Sequence, residues 1–245
     1  MHCQPWLKSL VYKCSNSSQH CLLCDASTDQ PYPLCTCCEV ELPWLDDQCL
    51  VCALPLPMRD LTCGQCRRKR PDFARVEALW HYGFPVDALI TRFKHNRQWP
   101  MGRLLAELQG HGLRHRFDQG LPRPDRLLPV PMARGRLRQR GFNQAAMLAR
   151  WLSAHLRIPC DEHLLLRPRE TPAQQVLGAK ARQRNLQEAF ALAHDKGLDG
   201  LHLALVDDVV TTGATAQALA SLLRRAGARR VDVYCLARTA KPDQA

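Results

Sequence analysis

Four cysteine pairs, Cys21/Cys24, Cys35/Cys38, Cys49/Cys52 and Cys63/Cys66, each have the C-x2-C spacing of a metal-binding knuckle. Ten residues separate Cys24 from Cys35 and ten separate Cys52 from Cys63; adding 28 to the first four positions gives the second four. The pattern is an internal repeat. Two thiolates in one tight turn reach a cation about 2.3 Å away, and a second turn completes a tetrahedron, so each repeat reads as a small ribbon closed by Zn2+. Metal binding then replaces the core that so short a segment cannot build. Sequential sharing within each repeat and crossed sharing between repeats both satisfy the spacing. Cys37 reads as a spare thiol, Cys3 and Cys14 fall in no pattern, and Cys160 and Cys235 read as buried small apolar residues.

A second chemical signature is the run Val206, Asp207, Asp208, Val209, Val210, Thr211, Thr212, Gly213, Ala214, Thr215. Asp207 and Asp208 are suited to ribose hydroxyls and, through water, to a divalent cation. Thr211 to Thr215 supply hydroxyls and backbone N–H groups where a helix begins, which is a phosphate cradle, and Gly213 lets the backbone come close. The elements that must hold this loop are legible on both sides. His202–Val206 is apolar enough for a buried parallel strand, Ala216–Ala226 has helical periodicity with Gly227 at the capping position, and Val231, Val233 and Cys235 mark another strand. That is a βαβ unit, whose ligands bind after the first strand.

A third run lies upstream. Leu127–Val130 reads as a strand broken by Pro129 and Pro131, and Arg134, Arg136, Arg138 and Arg140 alternate, so in an extended loop they face one side. Arginine is suited to bidentate phosphate contacts. Leu79–Tyr82 reads as an edge strand and Val86–Lys94 as an amphipathic helix.

Composition supports two domains. Thirteen cysteines and a net charge of +11 are both high, and both are uneven. Residues 1–72 carry eleven cysteines with 7 Lys/Arg against 8 Asp/Glu; residues 73–245 carry two cysteines with 27 against 15, or +12. The expected division is a cysteine-rich double zinc ribbon at 1–72 and an α/β domain at 73–245. Apolar residues at 46% and charged residues at 23% exclude disorder and fibrous classes. No apolar run reaches membrane-spanning length and no secretory segment is visible, so a cytoplasmic protein without membrane insertion is expected.

The loop from Val206 to Thr215 resembles the PRPP-binding loop of type I phosphoribosyltransferases. With the tandem knuckles, residues 21–238 resemble the ComF/GntX family. The resemblance implies a parallel sheet flanked by helices, a type I phosphoribosyltransferase-like α/β fold preceded by the zinc ribbons. It also implies binding of PRPP with Mg2+ and a part in DNA uptake or use of imported DNA. Arg136, Arg140, Gly141, Phe142, Asn143 and Gln144 match the family's R-x3-RGFNQ element and are expected to face pyrophosphate. Arg167, Arg169, Thr171, Gln174, Leu177, Arg182, Asn185, Ala189 and Phe190 match a further segment, in which Thr171 and Gln174 are candidates for a lid and Leu177 and Phe190 for core. Lys94 matches a basic position and is a candidate for reaching substrate.

The resemblance leaves turnover open. If the domain is an enzyme of the phosphoribosyltransferase type, Asp207 and Asp208 are its catalytic candidates. The alternatives are a non-catalytic single-stranded DNA binder or scaffold that recruits a DNA-translocating helicase or other competence proteins, and a nucleobase salvage enzyme. The +12 charge favours a polyphosphate partner; the acid pair favours a phosphoribose with its cation.

Overall fold

Apolar runs separated by amphipathic helices generate a four-stranded parallel sheet in the computed structural model, which describes residues 19–168 and 188–240. Thr171 and Gln174, the lid candidates, lie outside the described residues, as do Arg169, Leu177, Arg182 and Asn185. By its contacts the chain divides into two units, Met1–Glu41 and Leu42–Ala245. The division falls inside the segment 1–72 that composition groups together.

The first unit holds an antiparallel pair, β1 (Gln19–His20) and β2 (Ser27–Thr28), followed by the short helix α1 (Thr36–Val40). The second unit begins with the second cysteine repeat, which contains α2 (Gly64–Arg68). Its sheet has the order β3-β8-β7-β4, built from β3 (Arg75–His81), β4 (Arg126–Pro129), β7 (His202–Val210) and β8 (Arg230–Arg238), with every neighbouring pair parallel.

An edge strand exposes unpaired backbone groups, and the second cysteine repeat covers those of β3. Leu45 N donates to Leu79 O at 2.8 Å, His81 N to Pro43 O at 2.8 Å and Val76 N to Val51 O at 2.9 Å. Trp44 lies against Trp80 with ring centroids 5.6 Å apart. Cys49, Cys63 and Cys66 share one apolar core with Val76, Ala78, Val231 and Val233.

That core also takes Leu219 and Leu223 of α7 (Ala214–Arg225) and the hairpin of β5 (Leu165–Leu166) with β6 (Ala191–Leu192). The other face of the sheet is covered by α4 (Trp99–Asp118) and α6 (Gln144–Leu156), through buried leucines such as Leu104, Leu105, Leu148 and Leu152. α3 (Val86–Asn96) packs on α4. Both faces being buried, β7 is continuously apolar from Leu203 to Val206, as parallel strands require.

Two local expectations change. β7 runs on to Val210, so Asp207 and Asp208 are strand residues and not part of the loop. The arginine run is a helix, α5 (Arg134–Arg140), instead of an extended segment. Its sequence has no β-branched residue and is rich in Arg, Leu and Gln, which favour helix; Gly141 closes it at φ 85°. On a helix, residues two apart diverge and residues four apart coincide, so Arg136 shares a face with Arg140 and not with Arg134 or Arg138.

Cys66 belongs to the buried core of the second unit, whereas Cys24 is exposed. Cys66→Ser is expected to lower the main calorimetric melting transition by several degrees, since a buried hydroxyl without a partner costs about 1–3 kcal/mol and a metal ligand is lost as well. Cys24→Ser should leave that transition in place.

Candidate ligand site and metal centres

The cysteines assemble by repeat. Cys21, Cys24, Cys35 and Cys38 form one group and Cys49, Cys52, Cys63 and Cys66 the other, and within each the sulfurs lie within 4.8 Å of one another. This settles sequential over crossed sharing. Cys24 and Cys35 sulfurs are 3.7 Å apart, as are those of Cys52 and Cys63. Burial raises the Cys21 thiol, but backbone N–H groups of Cys35, Cys24 and Leu23 outweigh it and bring it down to about 6. Cys49 is brought to about 7 in the same way. Burial and the neighbouring sulfurs push Cys52 up to about 11 and raise Cys38 and Cys66. Each group therefore has one readily formed thiolate and others that resist ionising beside it, an arrangement relieved when a cation sits among the four. Both groups suit a metal ion, and four thiolates suit zinc.

The second site lies at the C-terminal end of the sheet. Asp207 and Asp208 are successive residues near the end of β7. The Asp208 carboxylate, 6% exposed, forms an ion pair with Lys94 Nζ of α3, itself 20% exposed. Asp207 accepts a hydrogen bond from the Asp208 N–H at 2.9 Å. Burial pushes the Asp207 carboxyl up to about 7, against the opposing pull of Lys94 and Arg167. Burial likewise lowers Lys94 to about 8, with Asp207 opposing and Arg140 assisting. Two groups that exchange protons near neutrality thus stand at one strand end.

Beyond them Thr211 and Thr212 are exposed. Gly213 precedes α7 at φ 76° with open space around it, a conformation glycine adopts without strain. Thr212 Oγ1 accepts from Ala214 N at 3.3 Å, while Gly213, the N-cap of α7, contributes no side-chain cap. The first turn of a 12-residue helix, carrying a partial positive charge, therefore follows the two acids after the five residues 209–213.

The segment after β4 borders the same end, since Pro129 pairs with Val206 and Val130 N donates to Val206 O at 2.9 Å. Arg136 is exposed; Arg140 is half-buried, its guanidinium pKa lowered by burial and by Arg136. Arg140 Nη1 donates to Gln144 Oε1 at 2.6 Å. Gly141 sits at φ 85°, a conformation that favours glycine, with the Arg97 guanidinium 2.9 Å from where a Cβ would stand. Phe142 packs between Phe93, with centroids 5.7 Å apart, and Trp99, at 6.4 Å. Asn143 is the N-cap of α6, accepting from Ala145 N at 3.0 Å while its Nδ2 donates to Val130 O at 3.1 Å. Its side chain is spent on holding the loop.

Lys94 meets Asp208 by contact, although its sequence neighbourhood reads equally as a solvated helix face. Arg238 escapes the sequence reading altogether. It is buried at the end of β8, and its Nη1 donates to the Val210 and Thr211 carbonyls, at 3.1 Å for Val210, at the base of the loop that leads into α7. An arginine closing an apolar strand beside two tandem valines is the only sequence signal, and it is weak.

No family model matches the chain. The DNA utilization protein YhgH of Salmonella typhi is 40% identical over 180 residues, 73% of this chain and 78% of that protein. Competence protein F of Haemophilus influenzae is 38% identical over 178 residues, 72% of this chain and 78% of that one. Competence protein ComFC of Bacillus subtilis is 32% identical over 114 residues, 46% and 44% of the two chains. Among solved structures, the purine phosphoribosyltransferase of Pyrococcus horikoshii overlaps 55% of this chain and 70% of that one at 21% identity and a TM-score of 0.33, too slight an overlap to assign a fold. Among the described residues no helix is long and apolar enough to cross a membrane.

Two outcomes follow from this geometry. A carboxyl raised from its ordinary value of 3.8 to about 7 keeps its proton in the fold where the unfolded chain has lost it. Stability therefore falls as pH climbs between these values. Asp207→Asn should flatten that fall and melt a few degrees above the parent at pH 8, read by thermal melts from pH 4 to 8. Asn143→Ala removes both the cap and the Val130 bond and should cost about 1–2 kcal/mol in denaturant titration.

Proposed function

For this chain, which belongs to the family of the DNA utilization protein YhgH and competence protein F, we propose that the β7–α7 segment Val206–Thr215 binds the phosphoribose of PRPP with Mg2+. In this reading the domain is of the type I phosphoribosyltransferase kind and serves the uptake or use of DNA. The observation that carries it is the succession at one strand end: two acids, two exposed threonines, a glycine at positive φ, and an uncovered helix start. A phosphate fits the N–H groups and hydroxyls of Thr211–Thr215, and ribose hydroxyls fit the carboxylates before them.

The residues fit the group chemically. Asp207 and Asp208 supply the oxygen donors that a hard cation selects, and bound Mg2+ would neutralise charge on the pyrophosphate. Lys94, lowered toward neutrality and already in contact with Asp208, stands ready to exchange that carboxylate for a phosphate oxygen. Arg136 and Arg140, on one face of α5, offer guanidinium groups to pyrophosphate. The anchor of the 5′-phosphate is remote from the ribose C1–oxygen bond, so its binding serves orientation. If turnover occurs, that bond breaks, the electron pair leaves with pyrophosphate, and an acceptor nucleophile takes C1.

The structural zinc reading is part of the same proposal: each four-cysteine group holds one Zn2+. A second functional reading, single-stranded DNA binding without turnover, is favoured by the exposed Arg134, Arg136 and Arg138 of α5 and by the +12 charge of residues 73–245. Such binding weakens steeply with salt.

Calorimetric titration of the zinc-loaded protein with PRPP tests the primary reading. Binding is expected with Mg2+ and at least tenfold weaker without it. Asp208→Asn should lose tenfold or more in affinity at an unchanged melting temperature. Equal affinity in the variant and the parent would sink the assignment. Metal analysis should return two zinc ions per chain.

A further inference from the structure

Arg238 joins two parts of the second unit that the sequence keeps 186 residues apart. It is 5% exposed at the last position of β8. Its Nη1 donates to Val210 O at 3.1 Å, to Thr211 O, and to Thr239 O at 2.9 Å. Its Nε donates to Cys52 O at 2.9 Å. Val210 and Thr211 are the middle two of the four residues between the acid pair and Gly213. Cys52 is a member of the second four-cysteine group.

We propose that Arg238 is a positioning residue that couples the second metal centre to the phosphate-cradle loop, so that metal loading of that centre sets the order of Val210–Thr215. The proposal rests on the loop being the ligand site, and it adds how that site is held and what regulates it. A planar guanidinium presents its donors at fixed angles. Once the Cys52 carbonyl fixes Nε, the direction of Nη1 is fixed too, and the Val210 and Thr211 carbonyls follow.

The position of the Cys52 carbonyl depends in turn on the knuckle. Ala53 N donates to Cys49 O at 3.0 Å and Cys63 N to Cys49 Sγ at 3.2 Å, so the turn is closed by groups that surround the metal ligands. Without a cation, the four sulfurs that lie within 4.8 Å of one another have no common bond to tie the two turns together, and the knuckle is free to open. A second link runs in parallel. Gln217 Oε1 of α7 accepts from Asp72 N at 2.9 Å, and Gln217 Nε2 donates to Asp72 Oδ2 at 2.5 Å. The chain segment just after the second cysteine group thereby holds the helix that follows the loop, while Arg238 holds the strand end that precedes it. Such a coupling is reciprocal: a ligand that orders the loop must also tighten the metal centre.

Hydrogen–deuterium exchange on the full chain tests this. Cys52→Ser, which empties the second centre, should speed exchange of the peptide spanning 210–215 about tenfold over the zinc-loaded parent. Cys24→Ser, which disturbs only the first centre, should leave that peptide unchanged. Arg238→Gln at full zinc content should reproduce the loop effect while amides of 203–206 and 231–236 stay protected. Unchanged loop exchange in both Cys52→Ser and Arg238→Gln would overturn the proposal. If either of those variants loses protection across the whole sheet, Arg238→Lys at full zinc occupancy decides. It keeps the charge but cannot span all four carbonyls, so selective loss of loop protection supports the coupling and unchanged loop exchange overturns it. In the parent, PRPP with Mg2+ should slow zinc release to a coloured chelator severalfold, and Arg238→Gln should abolish the slowing. Failure of PRPP to bind at all would remove the phosphoribose reading while leaving the exchange result to judge the coupling.

Discussion

A parallel sheet covered on both faces has no room for polar side chains along its strands, and they collect at the two ends. β7 obeys this constraint closely, and the chemistry of the protein depends on it. At the N-terminal end the polar groups satisfy one another: His202 Nε2 and Asp232 are 2.9 Å apart, Arg230 reaches Asp232 at 2.9 Å, and Asp125 accepts from His202 N at 2.7 Å. At the C-terminal end the strand finishes on two acids, and the groups beyond them face outward. The side chains of Thr211 and Thr212 are exposed and the space around Gly213 is open, and the Lys94–Asp208 ion pair involves a lysine already weakened as a cation. The polar groups at one end of the sheet are tied to one another, and the two threonines past the other end are open to solvent.

The second cysteine group is more than an appendage to this sheet. It covers the backbone of β3, places three of its sulfurs in the core and sends the Cys52 carbonyl to Arg238. Its metal would stabilise the edge strand and the loop base together. The first group sits in its own small unit, with two short strands and one turn of helix around it. An identical spacing of cysteines therefore serves two different structural settings.

Much of this was legible in the residues because local rules coincide with the global fold there. The apolar run of β7, the glycine turn, the periodicity of α7 and the valines of β8 all specify the same βαβ unit, and the C-x2-C repeat specifies its own closure. Other features were not legible, each for a physical reason. Alternating arginines suit either an extended segment or a helix surface, and the helix prevailed through residue propensity and the cap at Gly141. Two adjacent acids read alike in the sequence, but the fold gives them different surroundings: Asp208 forms the ion pair with Lys94, and Asp207 accepts from the Asp208 N–H. Lys94 and Arg238 act through contacts across 114 and 28 residues, to Asp208 and Val210, and no local pattern encodes partners so distant. Composition marks where the cysteines end, at 72, while packing against β3 divides the contacts at Glu41.

The central claim is that the strand end of β7 and the start of α7 together hold a phosphoribose. Amide chemical-shift mapping of the zinc-loaded protein, with PRPP and Mg2+ added stepwise, addresses it residue by residue. The account predicts that the N–H signals of Thr211, Thr212, Gly213, Ala214 and Thr215 move first and furthest, in saturable fashion and only with Mg2+ present. Saturable shifts elsewhere with these five unmoved, or no saturable shifts at all, would contradict it.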